Sequence, residues 1–266
     1  MTRDLFITCL LAGSLAGCSR DLAPSRITGA NAPDSRTATE ADLIGGMPVG
    51  RLPLAYGDRW TYQKRDRTFS INDGDTTIVF DSHGTVVVTD NCPDSFGGHA
   101  YLFQTSLEKM FIGNISTSLT TWVDLREDPK GLYGYYPPAS AIPDCAPPEA
   151  LADEVPLPRA PGPGASEGQL LAFPLHPGQS WTYAEPATGH IFDARVTGLG
   201  SCTVPAGTWR AIQVTSVWRD GGPGYRDDAW YGNVGLLRTH HHQEGPNVIF
   251  ESEMVLTAVD LVDARP

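Results

Sequence analysis

The chain keeps returning to one short unit, a run of β-branched and aromatic residues followed by a cluster of Gly, Pro, Asn and Asp. Trp60-Thr61-Tyr62, Thr76-Thr77-Ile78-Val79-Phe80 and Thr85-Val86-Val87-Val88-Thr89 are such runs, and Asn72-Asp73-Gly74-Asp75 and Asp81-Ser82-His83-Gly84 punctuate them as turns. Side chains branched at Cβ fit a pleated surface better than a helical turn, and Asp-Gly supplies the positive φ of a tight hairpin. The pattern continues through residues 99–107, 111–124, 132–136, 191–196, 209–218, 229–231, 234–242 and 248–261. Alternation is plain in Ala211-Ile212-Gln213-Val214-Thr215-Ser216-Val217, the period of a half-buried strand. Helical periodicity is confined to residues 148–155, with Pro148 at the first position. The expected fold is mainly β, a curved antiparallel sheet (half-barrel or open barrel meander) with little helix, because short polar turns join successive strands.

The first residues carry a different signal. Met1-Thr2-Arg3-Asp4 precedes an apolar stretch, Leu5 to Ser14, which has the length of a signal-peptide core and is too short to span a bilayer. Leu15-Ala16-Gly17-Cys18 follows, and this resembles the lipobox of bacterial lipoproteins. The resemblance implies cleavage before Cys18, a diacylglyceryl thioether on its sulfur and a further acyl chain on the new amino terminus. Each buried methylene contributes about 0.8 kcal/mol, so two or three chains hold a protein at a membrane. Ser19 and not Asp follows the cysteine, which in a Gram-negative cell implies the outer membrane, facing the periplasm.

Three segments result: a signal peptide over 1–17, the lipidated Cys18 with a flexible tether over 18–50, and a β-rich domain over 51–266. The tether is dominated by Ser, Ala, Asp, Thr, Gly and Pro and lacks the apolar surface to offset its ordering entropy; as a coil it reaches about 30 Å. Within the domain, residues 137–168 hold nine Pro and three Gly and read as an extended insert. There are 31 acidic against 19 basic residues, a formal net charge of -12. A body this acidic lacks the clustered Lys and Arg that nucleic acid requires and gains nothing from anionic headgroups. Attachment therefore falls to lipid on Cys18, the partners expected being the membrane and an apolar ligand or envelope protein.

Of five cysteines, Cys9 leaves with the signal peptide and Cys18 carries lipid. Cys92, Cys145 and Cys202 remain, and an oxidising compartment favours one pair with one thiol over. Cys92 and Cys145 are the favoured pair because both sit in polar, turn-like surroundings, Asn91-Cys92-Pro93-Asp94 and Pro143-Asp144-Cys145-Ala146-Pro147. Cys202 opens an apolar strand and reads as a small buried residue.

Leu52-Pro53-Leu54-Ala55-Tyr56-Gly57-Asp58-Arg59-Trp60-Thr61-Tyr62 matches Phe173-Pro174-Leu175-His176-Pro177-Gly178-Gln179-Ser180-Trp181-Thr182-Tyr183. Each copy gives an extended Pro-Leu segment, a Gly turn and a strand with two aromatics on one face. Such aromatics are core residues first; as a ligand platform the candidates are Trp60, Tyr62, Trp181 and Tyr183. With Val204-Pro205-Ala206-Gly207-Thr208 and Trp230-Tyr231-Gly232-Asn233-Val234-Gly235-Leu236, these elements resemble the TapB-like group of bacterial lipoproteins over about residues 51–136 and 169–262. The resemblance implies a curved antiparallel half-barrel, similar to carriers of the LolA type, with a concave apolar face. It brings no catalytic residues.

Candidate chemistry is sparse. His240 and His242 share a strand face and could hold Zn²⁺ or Cu²⁺ with Glu244 nearby, against the simpler reading of a polar strand end. Ser166 sits in a G-x-S-x-G match that lacks the strand before and the helix after which a nucleophile elbow needs. Ser106-Leu107-Glu108-Lys109 matches S-x-x-K inside a strand pattern. No cofactor is implied. The expectation is a membrane-anchored, non-enzymatic periplasmic lipoprotein that binds an apolar ligand or supports an envelope assembly; the alternative is a membrane-tethered metal-dependent or serine hydrolase.

Overall fold

The computed structural model describes residues 52–72, 75–96, 99–136, 167–185, 189–219 and 224–262. The signal peptide, Cys18, the tether, the helix expected at 148–155, Cys145 and Ser166 lie outside them. The strands are β1 (Arg59–Asn72), β2 (Asp75–Phe96), β3 (His99–Ile112), β4 (Ile115–Asp128), β5 (Gly131–Tyr135), β6 (Gly168–Ala172), β7 (Ser180–Ala184), β8 (Ile191–Val204), β9 (Gly207–Trp218), β10 (Tyr225–Gly232), β11 (Gly235–Glu244) and β12 (Val248–Asp260).

All twelve strands form one sheet in the order β6-β5-β4-β3-β2-β1-β12-β11-β10-β9-β8-β7. Every neighbour is the next strand in the chain except where β1 pairs β12. The chain thus makes two six-stranded antiparallel meanders zipped together through their first and last strands, and the sheet curls into a nearly closed barrel with β6 and β7 as its edges. That arrangement leaves two short edges in place of a long exposed one. Gln179 crosses the seam, its Nε2 donating to the Ala172 carbonyl at 3.0 Å.

The internal repeat marks the start of each half. The two copies lie on one continuous sheet, and each begins with a strap that crosses the same end of the barrel. Gly57 and Gly178 both adopt positive φ, 94° and 84°. Asp58 Oδ2 accepts from the Ala55 amide and Gln179 Oε1 from the His176 amide, at 3.2 and 3.1 Å. The Gly57 amide donates to the Asp90 carbonyl and the Gly178 amide to the Val196 carbonyl. Leu52 and Leu175 sink from the two straps into one apolar cluster with Val123, Leu125, Leu132, Phe192 and Tyr231. A second cluster gathers Trp60, Tyr62, Val86, Leu237, Met254 and Leu256.

One turn expectation and one strand expectation change. The Asp81-Ser82-His83-Gly84 run is not a turn: β2 passes straight through it, paired with β1. Ser82 points inward and is buried, and a Cβ on Gly84 would stand 1.9 Å from the Lys109 carbonyl oxygen. Gly84 serves close approach of β2 and β3 instead of a reversal. The strand expected at 111–124 is interrupted: Gly113, at φ 59°, reverses the chain between β3 and β4. Of the other expected turn, Asn72 and Asp75 are opposed in the register, and Asp73 and Gly74 lie outside the described residues.

Burial extends beyond the interior. Cys92, Phe103, Asp124 and Tyr135 are opposed in turn across β2, β3, β4 and β5, on the face away from Trp60 and Tyr62, and all are buried. Cys92 is disulfide-bonded; Cys202 is a buried thiol.

Candidate functional site inside the barrel

Two interior features stand apart from ordinary packing. The first is a chamber beneath the strap that precedes β1. Leu52, Pro53 and Leu54 roof it, Trp60, Tyr62, Leu125, Leu132, Leu236 and Met254 wall it, and Gln104 supplies a polar side chain. Its volume is about 70 Å³, whereas ligand pockets run to roughly 300–1,000 Å³. With the strap closed, the chamber takes the end of an alkyl group or about two waters.

The aromatics of the first repeat are held rigidly there. Trp60 Nε1 donates to the Val234 carbonyl at 2.6 Å and the Tyr62 hydroxyl to the Leu236 carbonyl at 3.1 Å. Burial pushes the Tyr62 phenol well above its usual range. Trp181 and Tyr183 do not share this chamber. Tyr183 stacks on Phe192 with centroids 5.3 Å apart, and Trp181 packs half-buried against the other cluster. The structure brings together one pair of the four expected platform residues and separates the other.

A carboxyl latch holds the strap. Asp58 Oδ1 accepts from the Val262 amide at 2.7 Å, tying the strap to the end of β12. The Asp58 carbonyl accepts from the Asp90 amide at 3.0 Å. Asp90 is fully enclosed. Its Oδ1 accepts from Gln104 Nε2 at 2.7 Å, while Oδ2 has no donor. Burial first, then the charge of Asp58, pushes the Asp90 carboxyl up to about 7 against the pull of the Gln104 bond.

The second feature is a polar belt. Ser82, Asp66, Ser252, His241, Asp227 and Ser216 are opposed in sequence across β2, β1, β12, β11, β10 and β9. All six are buried. His241 Nδ1 lies 2.7 Å from Asp227 Oδ1. Lys64, one inward position away, sets Nζ 2.7 Å from Glu108 Oε1 and 3.3 Å from Asp66 Oδ2.

The histidine that matters is therefore His241, between the two that sequence selects. His240 and His242 lie half-buried on the opposite face of β11, opposed by Glu253 and Glu251. Those carboxylates are engaged by Arg238 and Arg67, and His242 Nδ1 is 3.8 Å from Glu251. Burial lowers the His240 imidazole. Among the described residues no group of three or more His, Cys, Asp or Glu is placed to hold a metal ion. The order Asp227-His241-Ser252 mimics an acid–base relay, but the three residues sit mid-strand in the paired β10–β11–β12 ladders, with their amides engaged in the sheet instead of forming an oxyanion hole. Ser106 is a buried β3 residue, with no helix to present it.

What fold and site define is a strap-closed, twelve-stranded up-and-down barrel with a small apolar chamber and a buried polar belt. No family model and no curated protein matches the chain. Two solved structures are similar. One is a Bacteroides fragilis protein provisionally described as exported, with a YmcC-like fold: 11% identity, TM-score 0.37, covering 81% of this chain and 99% of that one. The other is a Parabacteroides distasonis protein provisionally described as a lipoprotein: 14% identity, TM-score 0.31, covering 79% and 97%. Likeness at this level bears on neither activity nor ligand.

Proposed function

We propose that the chain is a lipid-anchored, non-enzymatic protein of the bacterial envelope, held by acyl chains on Cys18 and facing the periplasm. Its barrel takes an apolar part of a ligand into the chamber beneath the strap, and Cys145 is the disulfide partner of Cys92. The observation that carries the binding half is the chamber itself, an apolar space walled by hydrogen-bonded aromatics where a core would ordinarily be filled. Its roof is the segment that joins the barrel to the tether. A ligand larger than the end of an alkyl chain enters only as Leu52-Pro53-Leu54 lifts, so uptake and the membrane tether act on one segment.

Membrane fractionation tests the anchor. Cys18→Ser moves the protein from the membrane to the soluble fraction without changing its fold; a Cys18→Ser variant that stays in the membrane refutes lipid attachment at this residue. Co-purification of an apolar ligand, read by native mass spectrometry, tests the binding half.

A further inference from the structure

We propose that the free edge of β2 is a pairing surface, and that it takes the same edge of a second copy of this chain. β1 and β2 stay paired out to Asn72 and Asp75, but β3 joins β2 only from His83, which opposes Phe111. From Asp75 to Ser82, β2 therefore has a strand on one side only. Asp75 to Val79 are all exposed, so no described residue covers that part of the edge. Thr76-Thr77-Ile78-Val79-Phe80 is β-branched or aromatic throughout and uncharged, and residues 75–82 contain no Lys, Arg or Pro to keep another strand away. Ile78 is 50% exposed, and Val79, the extra residue of a bulge in the ladder with β1, is 61% exposed.

Backbone chemistry, length and charge together select the second copy. An edge presents a row of N–H and C=O groups that another strand satisfies and hydrocarbon does not, so a lipid surface does not fit. The free run is bounded at one end by the close of the β1–β2 pair and at the other by the β3–β4 hairpin, which stops level with His83. An antiparallel copy of the run fills that span and no more, with a two-fold axis between Ile78 and Val79. The hairpin end of each copy then closes on Phe111, Ile112 and Ile115 of the other, all of which are exposed. In this register Asp75 meets Ser82 and Asp81 meets Thr76, so no two carboxylates are opposed. Asp81 is also held by Arg65 of its own chain at 2.6 Å.

Pairing is independent of the strap chamber, so either can fail alone. Sedimentation velocity of the full-length chain tests it, with Cys18→Ser as the parent so that two chains sharing a detergent micelle are not read as a pair. The parent shows a monomer–dimer equilibrium with a Kd of about 100 µM or tighter. The dimer tightens as salt is raised, because two acidic chains repel at long range while the paired segment is uncharged. Thr77→Lys and Val79→Lys, both at exposed positions, each weaken the dimer about tenfold or more. Val217→Lys, at an exposed position on β9, leaves it unchanged. A parent that is still monomeric at about 1 mM overturns the second copy as the occupant. A dimer that both Thr77→Lys and Val79→Lys leave intact overturns the β2 edge as the surface.

Discussion

The chain is more stable at pH 5 than at pH 8, the reverse of ordinary acid denaturation. Three buried carboxyls cause this, Asp90, Asp124 and Asp227, the last raised by burial against the pull of His241. Asp90 is pushed up to about 7 by burial, with Asp58 beside it. Asp124 is 1% exposed, and neither of its oxygens has a donor. It is likewise pushed up to about 7, by burial and then by the neighbouring Asp94 carboxyl. An unfolded aspartate releases its proton near 3.8. Between that pH and 7 the folded chain holds protons that the unfolded chain has lost, so stability falls as pH rises and levels off above 7. The slope is about 1.4 kcal/mol per pH unit for each group, up to about 4 kcal/mol apiece. Asp81, Asp128 and Asp193 are shifted downward by Arg65, Arg126 and Arg219. They work in the opposite sense, at lower pH and weakly, because they are solvent-screened. Asp90→Asn keeps an acceptor for Gln104 and removes the ionisation, so it raises stability at pH 8 and flattens the pH dependence. Urea midpoints at the two pH values read this. A flat profile, or one that rises with pH, contradicts the burial assigned to these groups.

The two tryptophans of the repeat carry unequal loads. Trp60→Ala costs about 3–5 kcal/mol, the range for a large core aromatic. It empties a 4%-exposed site and strips the Val234 carbonyl of its 2.6 Å donor. For a domain of this size, that lowers Tm by about 10 °C. Trp181 occupies the matching place in the other half but is half-buried, and its indole N–H has no hydrogen-bond partner. Trp181→Ala costs less than about half as much. The comparison isolates context, since residue type and strand position are the same. Equal losses in thermal melts contradict the asymmetric roles of the two copies.

Much of the fold is legible in the chain because β-branched runs and Gly-containing turns act locally. Where reading fails, the decisive contact is distant in sequence. Ser82 and Gly84 resemble turn residues, yet belong to a strand because Asp66 and the β3 backbone lie opposite them. β6, Gly168–Ala172, follows the Pro-rich run as a short strand pattern, but its place at the sheet edge is set only by pairing with β5. The histidines illustrate parity. A strand with His240, His241 and His242 has one residue facing in, and a one-residue change of register exchanges faces. Leu236 and Leu237 are consecutive, and the register shifts between Trp230 and Tyr231, so apolar patterning does not set the parity of β11. The signal that could have done so is pairing: Asp227 and Ser252 flank only His241. The repeat was legible as two strand starts with core aromatics, but not as the two halves of one barrel. That depends on β1 meeting β12, the longest-range strand pairing among the described residues.

The binding chamber is tested most directly by native mass spectrometry of the full-length protein, purified in mild detergent. The chamber predicts a folded species heavier than the chain alone by one small apolar molecule, and loss of that mass in Leu54→Trp, which fills the space under the strap. A parent protein that carries no added mass after exposure to membrane lipid extract, or an added mass that Leu54→Trp retains, contradicts ligand binding beneath the strap.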